Sequence, residues 1–123
     1  MVYFMEYQHV DEKYSFNGEI YLCPLDVAIE IIGGRWKAKI LYHLQYGPLR
    51  SSELQRRVKG EISNKMFTQV VRELEKAGVI RRIVYPVVPP KVEYELTELG
   101  QSVIPNINDL SQWGRRVGKR IEE

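Results

Sequence analysis

The residues from Ser63 to Gly78 constrain the fold most, because they form one strongly amphipathic segment. At about 100° per residue its apolar side chains fall on one side, which predicts a helix. These side chains are Met66, Phe67, Val70, Val71, Leu74 and Ala77. The Ser63 hydroxyl can accept from an amide of the first turn, and Gly78 tolerates the left-handed conformation in which many helices end.

The opposite side of this helix has an unusual composition. Its N-terminal half carries amides, a hydroxyl and cations without an acid, and Glu73 and Glu75 come only later. The residues of that half are Asn64, Lys65, Thr68, Gln69 and Arg72. Amide and cationic side chains bond base edges in the major groove of DNA or hold its phosphates. For this segment taken alone, an ordinary solvated surface helix is an equal alternative.

Length and composition narrow the class of protein. A chain of 123 residues with 44% hydrophobic residues can form one domain with a real core. No apolar run approaches the roughly 20 residues that span a bilayer, and the N-terminus lacks the pattern of a signal peptide. We therefore expect a cytoplasmic protein. The single cysteine, Cys23, excludes an internal disulfide framework and a multi-cysteine metal site.

Charge is distributed unevenly along the chain, although the net charge is only +2. Residues 1–34 hold six acids and one lysine, a balance of −5. Residues 35–49 contribute +3, residues 50–91 contribute +6, and residues 92–123 contribute −2. The positive charge is gathered around the amphipathic helix. This distribution favours nucleic-acid binding, because neutralised phosphates supply most non-specific affinity.

The N-terminal part is predicted to be an arm followed by a first helix. Residues 1–22 are polar with interspersed aromatics, which indicates an arm that packs on something, and we expect it to contact a partner subunit. A short strand is predicted near Glu19–Leu22. Cys23-Pro24 should open the helix, since proline suits its first position, and Gly33-Gly34 should end it. The apolar side of this helix carries Leu25, Ala28, Ile29 and Ile32.

Two more helices are expected before the amphipathic one. A helix over 36–46 should end at the breaker Gly47-Pro48. Its inward side chains are Trp36, Ile40, Leu41 and Leu44. After a short extended piece, Ser51 or Ser52 is expected to cap a helix that runs to Val58. Because a short turn joins that helix to the amphipathic one, the pair is predicted to be a helix-turn-helix.

A β-hairpin is predicted beyond Gly78. Residues 79–85 are β-branched and basic, and residues 92–96 alternate between apolar and polar. Residues 86–91 between them contain three prolines, which leave few amides free for edge pairing. A helix-turn-helix followed by such a hairpin is a winged helix. The predicted fold class is therefore α+β, with a three-helix core and a hairpin wing in a domain over residues 23–123.

The last segment, residues 97–123, is predicted to be a long helix opened by Thr97. Its apolar residues recur at steps of three and four, and they are Leu99, Val103, Ile107, Leu110, Trp113 (or the adjacent Gly114), Val117 and Ile121. Pro105 should bend this helix or mark its restart. Because the stripe is longer than a small core needs, we expect part of it to be a dimer interface. Coverage of the helix bundle alone is the alternative.

Short motifs over about residues 23–114 carry a family resemblance. They are Cys23-Pro24, Gly34-Arg35-Trp36-Lys37, Ile40-Leu41, Gly47-Pro48-Leu49-Arg50, Ile62-Ser63-Asn64-Lys65-Met66, Arg72-Glu73-Leu74-Glu75 with Gly78, Tyr85-Pro86, Pro89-Pro90-Lys91-Val92-Glu93-Tyr94, Leu96-Thr97-Glu98-Leu99-Gly100 and Trp113-Gly114. As an ordered set they resemble the HxlR-type winged-helix transcriptional regulators, relatives of the MarR group. The resemblance implies a homodimeric DNA-binding regulator that pairs through its arm, first helix and last helix.

The predicted DNA contacts come from three parts of the chain. The major-groove set is Ser63, Asn64, Lys65, Thr68, Gln69 and Arg72, of which Ser63 is alternatively only a cap. The phosphate set, at helix starts, is Arg35, Lys37, Ser51 and Ser52, with solvated surface as the alternative. The wing set is Lys91, and secondarily Arg81 and Arg82, facing the minor groove or its phosphates. Paired helices read half-sites about 34–36 Å apart, so we expect a pseudo-palindromic operator on double-stranded DNA.

Cys23 has two interpretations. The resemblance implies that a cysteine at this point can sense oxidants or electrophiles, and a helix N-terminus favours the reactive thiolate. The alternative is a small buried residue at the dimer contact. A small-molecule effector bound between the dimer helices is a further option, although no motif identifies such a ligand.

The sequence gives little support for an enzymatic function. His9 and His43 show no triad or metal-ligand spacing, and no glycine-rich phosphate loop is present. We expect no catalytic residue, no cofactor, no metal and no membrane partner. The second hypothesis is therefore another binding function, a winged helix that contacts proteins within a transcription complex.

Overall fold

The computed structural model describes residues 12–58 and 60–122. Predictions that fall on residues 1–11, including the one for His9, lie outside the described residues. Contacts divide the chain into two compact units on either side of the Gly34–Arg35 bond. In the first unit, the first helix packs with the hairpin that precedes it.

The first unit contains a β-hairpin and a helix. Strand β1 (Tyr14–Phe16) pairs antiparallel with β2 (Glu19–Tyr21), which confirms the strand expected near Glu19 and adds its partner. The connection Asn17-Gly18 has φ values of 50° and 79°. A two-residue type I′ turn requires positive φ at both positions, which Asn-Gly tolerates well. Helix α1 (Pro24–Ile32) follows, with Cys23 at its N-cap, as the sequence predicts.

Helices α2 (Lys37–Leu44), α3 (Ser51–Arg57) and α4 (Asn64–Lys76) supply most of the core of the second unit. Their buried apolar residues are Ile40, Leu41, Leu44, Leu54, Phe67, Val70, Val71 and Leu74. The predicted inward faces are therefore largely confirmed. The exception on α4 is Met66, which is 38% exposed. At about 100° per residue Met66 lies at the margin of an apolar arc centred between Phe67 and Leu74.

The start of α3 differs from the expectation. Neither Ser51 nor Ser52 caps this helix, because Arg50 occupies the N-cap position and no side chain caps it. Strand β3 (Leu49–Arg50) pairs with a strand of the wing, and Arg50 lies opposite Glu93. The backbone is thus held extended as far as Arg50 and turns into the helix at the next residue. Both serines lie in the first helical turn.

The wing is the hairpin of β4 (Ile80–Tyr85) and β5 (Lys91–Leu96). The sheet has the antiparallel order β3-β5-β4, with Tyr85 opposite Lys91 next to the loop that connects the two strands of the hairpin. Lys91 therefore belongs to a strand rather than to the loop. With α2, α3 and α4, this sheet forms an α+β winged helix-turn-helix, which is the predicted fold class.

The last helix, α5 (Glu98–Val117), is anchored at its start. The Thr97 hydroxyl donates to the Gly78 carbonyl at 2.5 Å and accepts from the Gly100 amide at 3.1 Å. The helix continues through Pro105 without a restart. It ends at Val117, not at residue 123, because Gly118 is extended and glycine is a poor helix former.

Candidate nucleic-acid interface

The exposed side of α4 brings together the residues predicted for the major groove. All of them are exposed, and all except Ser63 line one surface that also includes Glu73 and Lys76. They are Ser63, Asn64, Lys65, Thr68, Gln69 and Arg72. Ser63 is a true N-cap, since its hydroxyl oxygen accepts from the Met66 amide at 3.1 Å. Because the opposite side of α4 is buried, the helix presents a rigidly backed polar face.

Two amide side chains of this face are engaged by neighbouring groups. The amide nitrogen of Gln69 donates to Glu73 Oε1 at 3.3 Å. The amide nitrogen of Gln55, on α3, donates to Asn64 Oδ1 at 2.6 Å and to the Ile62 carbonyl at 3.4 Å. The conformations of Asn64 and Gln69 are therefore constrained before any ligand arrives.

The two cations predicted to hold phosphate near the start of α2 have different surroundings. Lys37 Nζ lies 3.4 Å from Glu73 Oε2, and its side chain is only 20% exposed. The Arg35 guanidinium stacks on the Trp36 ring at 4.5 Å from the ring centroid and is exposed. Lys37 is thus joined to α4, whereas Arg35 stays at the surface.

A groove of about 670 Å³ runs between the start of α3 and the wing. It brings Ser51, Ser52 and Lys91 together, although they come from distant parts of the sequence. Arg50, Gln55, Val92 and the loop residues from 87 to 90 also line it. A groove that holds two cations and two hydroxyl side chains could accept a nucleic-acid backbone.

Two cations of the wing, Lys91 and Arg81, pair with acids on its strands. Lys91 Nζ lies 3.3 Å from Glu93 Oε2 and 4.7 Å from the centroid of the Tyr85 ring. The Tyr85 hydroxyl donates to Glu93 Oε1 at 3.0 Å, which lowers the pKa of Glu93 and raises the pKa of Tyr85. Arg81 pairs with Glu95 at 3.1 Å. The side chains of Lys91 and Arg81 are therefore held in defined positions by their partners on the wing.

Sequence reasoning missed three residues of this surface, namely Arg50, Gln55 and Glu73. The pairing of Gln55 with Asn64 depends on how α3 meets α4, and no sequence signal reports that geometry. Glu73 follows Gln69 by four residues, a spacing at which helical side chains meet. That signal was available in the sequence.

The described part of the chain gives no structural support for metal binding. Across residues 12–58 and 60–122, no three His, Cys, Asp or Glu side chains are grouped so that they can hold an ion. His43 is half-buried and meets the ring of Tyr42 edge-on, with centroids 5.5 Å apart. Nor does any helix in these ranges have the length and apolar character needed to cross a membrane.

A helix-turn-helix with an exposed polar second helix and a hairpin wing defines the class of winged-helix regulators. The chain belongs to the HxlR-like helix-turn-helix family, whose model matches residues 31–122. The resemblance seen in the sequence is thereby confirmed.

Relatives of the chain share most of its length. An uncharacterised HTH-type transcriptional regulator of Methanothermobacter thermautotrophicus is 50% identical over 102 residues, which cover 83% of this chain and 77% of the relative. The regulator YtcD of Bacillus subtilis is 51% identical over 110 residues, covering 89% and 82%. The redox regulator HypR in its oxidised form superposes with a TM-score of 0.74 at 39% identity, covering 80% of this chain and all of that one. These similarities make the chain a member of a family of transcriptional regulators.

Proposed function

We propose that the protein is a sequence-specific regulator that binds double-stranded DNA as a homodimer in the cytoplasm. Helix α4 would lie in the major groove, and residues 86–91 of the wing would lie on the minor groove or the backbone. The observation that carries this proposal is the exposed side of α4, which is free of acids from Asn64 to Arg72 and presents Asn64, Lys65, Thr68, Gln69 and Arg72 on one surface. Membership in a family of HTH-type regulators supports it.

Phosphate contacts would flank the major-groove contacts. The groove between α3 and the wing brings Ser51, Ser52 and Lys91 together, and one DNA backbone strand would pass along it. Arg35 is exposed beside α2 and can hold a second phosphate. Such contacts fix the register of the protein on the duplex, whereas the α4 side chains supply sequence preference.

DNA binding by the variants Gln69→Ala and Arg72→Ala tests the role of α4. Each should remain folded and lose affinity for a duplex selected from random DNA, and preference should relax at one base pair by about 1–3 kcal/mol. Arg116→Ala removes the same charge as Arg72→Ala from an exposed position near the end of α5 and should leave sequence preference unchanged. Wild-type affinity and preference in both α4 variants would remove this helix as the reader.

The competing function is a winged helix that contacts another protein. The two functions differ in their dependence on salt. A DNA-binding protein releases counterions, so its affinity for any duplex should fall steeply between low and moderate salt. Weak, salt-insensitive association with duplexes would favour the protein-contact function.

The dimer proposal rests on apolar residues that the single chain leaves uncovered. Leu110, Trp113 and Val117 follow one another at steps of three and four on α5 and are 53%, 56% and 62% exposed. On α1, Leu25 and Ile29 are 62% and 53% exposed. Large exposed apolar surfaces commonly mark association sites, and a second copy would bury the same patch on both chains. We therefore assign the dimer contact to the N-terminal arm, α1 and the apolar side of α5.

Regulation through Cys23 is a second proposal. Cys23 is an exposed free thiol at the N-cap of α1, which is an accessible position for an oxidant or electrophile. The structural relatives include the redox regulator HypR in its oxidised and reduced forms. We expect Cys23 to be labelled by a thiol reagent in the native protein, with a change in DNA affinity. An unreactive thiol, or a modified protein with unchanged affinity, would reject this regulation. Cys23→Ser is the matched control.

A further inference from the structure

The two amide side chains of the α4 surface use opposite ends within the protein. Gln69 donates through its nitrogen, whereas Asn64 accepts through its oxygen. We infer that Glu73 holds Gln69 with its carbonyl oxygen toward DNA, and that Gln55 holds Asn64 with its amino group toward DNA. Gln69 then reads adenine and Asn64 reads guanine. This inference rests on the proposed function and assigns base preferences to two of its residues.

The orientation of Gln69 follows from the chemistry of its partner. Its amide nitrogen lies 3.3 Å from Glu73 Oε1, one helical turn further along α4. An ionised carboxylate only accepts hydrogen bonds, so the nitrogen end of the Gln69 amide must face it. The amide oxygen and the second N–H of Gln69 are left for a partner outside the protein. Adenine presents the matching pair in the major groove, a donor at N6 and an acceptor at N7.

Glu73 is itself fixed by a cation from another helix. Lys37, at the start of α2, places Nζ 3.4 Å from the second carboxylate oxygen, Oε2. An uncompensated carboxylate on a DNA-facing surface would be repelled by phosphates. Lys37 offsets that charge and keeps Glu73 in position for Gln69. We therefore assign Lys37 and Glu73 as positioning residues for Gln69, so that Lys37 acts within the protein rather than on a phosphate.

The orientation of Asn64 is set from α3. The Gln55 amide nitrogen is within reach of the Ile62 carbonyl oxygen, 3.4 Å away, and of Asn64 Oδ1, 2.6 Å away. A backbone carbonyl only accepts, which identifies the nitrogen end of Gln55 and turns the oxygen of Asn64 toward it. The two donors on Asn64 Nδ2 remain for DNA. Guanine offers two adjacent acceptors, O6 and N7, which match them.

An amide side chain whose orientation is fixed before DNA binds can distinguish between bases. A glutamine or asparagine without such a partner can turn over and present either its oxygen or its nitrogen, so it tolerates several bases. Turning over Gln69 or Asn64 here would forfeit its internal hydrogen bond. The preference at each base pair is therefore expected to depend on Glu73 or Gln55, through the amide side chain that each of them orients.

The first stage of the test locates the base pair that each amide reads. Wild-type protein selects duplexes from random DNA, and Asn64→Ala and Gln69→Ala are titrated against the selected duplex and its single-pair substitutions. We expect Asn64→Ala to relax preference at a G·C pair and Gln69→Ala at an A·T pair, each preferred by about tenfold in the wild type.

The second stage uses the positioning residues as controls for each other. A glutamine at position 73 can donate as well as accept, so Glu73→Gln should abolish most of the preference at the A·T pair and keep the preference at the G·C pair. Gln55→Ala should do the reverse. Affinity ratios between duplexes cancel any uniform effect of charge or stability, and circular dichroism checks that each variant is folded.

The outcomes separate this inference from the proposed function. Unchanged preferences in Glu73→Gln and Gln55→Ala, an equal loss of affinity on every duplex, or an A·T pair read by Asn64 would overturn the inference and leave the DNA-binding proposal standing. Failure of the wild-type protein to select or bind any duplex would overturn both.

Discussion

Single residues of the wing show how its charges are ordered. Tyr85 donates to Glu93, and Lys91 lies against both side chains. The hydrogen bond to the charged carboxylate lowers the pKa of Glu93 below its ordinary value of 4.5. The pair therefore stabilises the folded wing above pH 4.5, and this stabilisation is lost as the pH falls through the lowered pKa of Glu93.

Tyr85→Phe should raise the pKa of Glu93 toward its ordinary value, because the hydroxyl donor is gone while the ring remains beside Lys91. NMR titration of the Glu93 carboxyl carbon measures this shift. The difference in unfolding free energy between wild type and variant should be present at neutral pH and vanish in acid. Tyr46→Phe removes a hydroxyl from an 82% exposed ring and should leave the Glu93 titration unchanged. A Glu93 pKa that is equally low in Tyr85→Phe would show that another group sets it.

At the scale of elements, the contact between α5 and the start of β4 fixes the last helix on the winged helix. Thr97 bonds the Gly78 carbonyl, and the Thr97 amide donates to the Val79 carbonyl at 3.1 Å. Gly100 is buried against Val79 so closely that a Cβ at position 100 would overlap the Val79 carbonyl oxygen. Glycine is required there for close approach rather than for an unusual φ.

Gly100→Ala should destabilise the protein by about 1–3 kcal/mol, because backbone has to shift to admit the methyl group. Gln101→Ala, at the next and exposed position of the same helix, should change stability by less than about 0.5 kcal/mol. Chemical denaturation followed by circular dichroism compares the two variants. Equal stabilities would mean that α5 is not held by this contact.

Most helices and strands that depend on local sequence signals were predicted correctly, whereas a boundary that depends on a contact between distant residues was not. The amphipathic pattern of α4, its Ser63 cap and the breakers around α2 are local signals, and the structure confirms them. The start of α3 was predicted wrongly, because it depends on pairing between Arg50 and the distant Glu93. Strand β1 was missed although Asn17-Gly18 is a strong local turn signal.

The residues of the candidate site also differ in whether the sequence could predict them. Periodicity alone identified which α4 residues face outward, since burial of one side leaves the other exposed. The partner of Asn64 is Gln55 from α3, and the partner of Glu73 is Lys37 from α2. Their identification needed the packing of α2 and α3 against α4, which no sequence pattern specifies.

At the scale of the whole molecule, the proposed function requires association of two copies. The exposed Trp113 is the largest apolar side chain left uncovered on α5. Trp113→Ala should weaken dimerisation more than about tenfold, since buried tryptophans dominate interface energetics. Sedimentation velocity over a concentration series measures the association. Val88→Ala trims a fully exposed apolar residue of the wing loop and should leave the dimer intact. A Trp113→Ala protein that associates like the wild type would place the interface elsewhere.

The most direct test of the central claim is chemical footprinting of the protein on its selected duplex. Two copies of α4 in successive major grooves predict two protected segments about 34–36 Å apart. Base methylation in the major groove should be blocked within both segments, and Arg72→Ala should remove both protections together. A single protected segment, protection confined to the minor groove, or a pattern insensitive to Arg72→Ala would contradict the account.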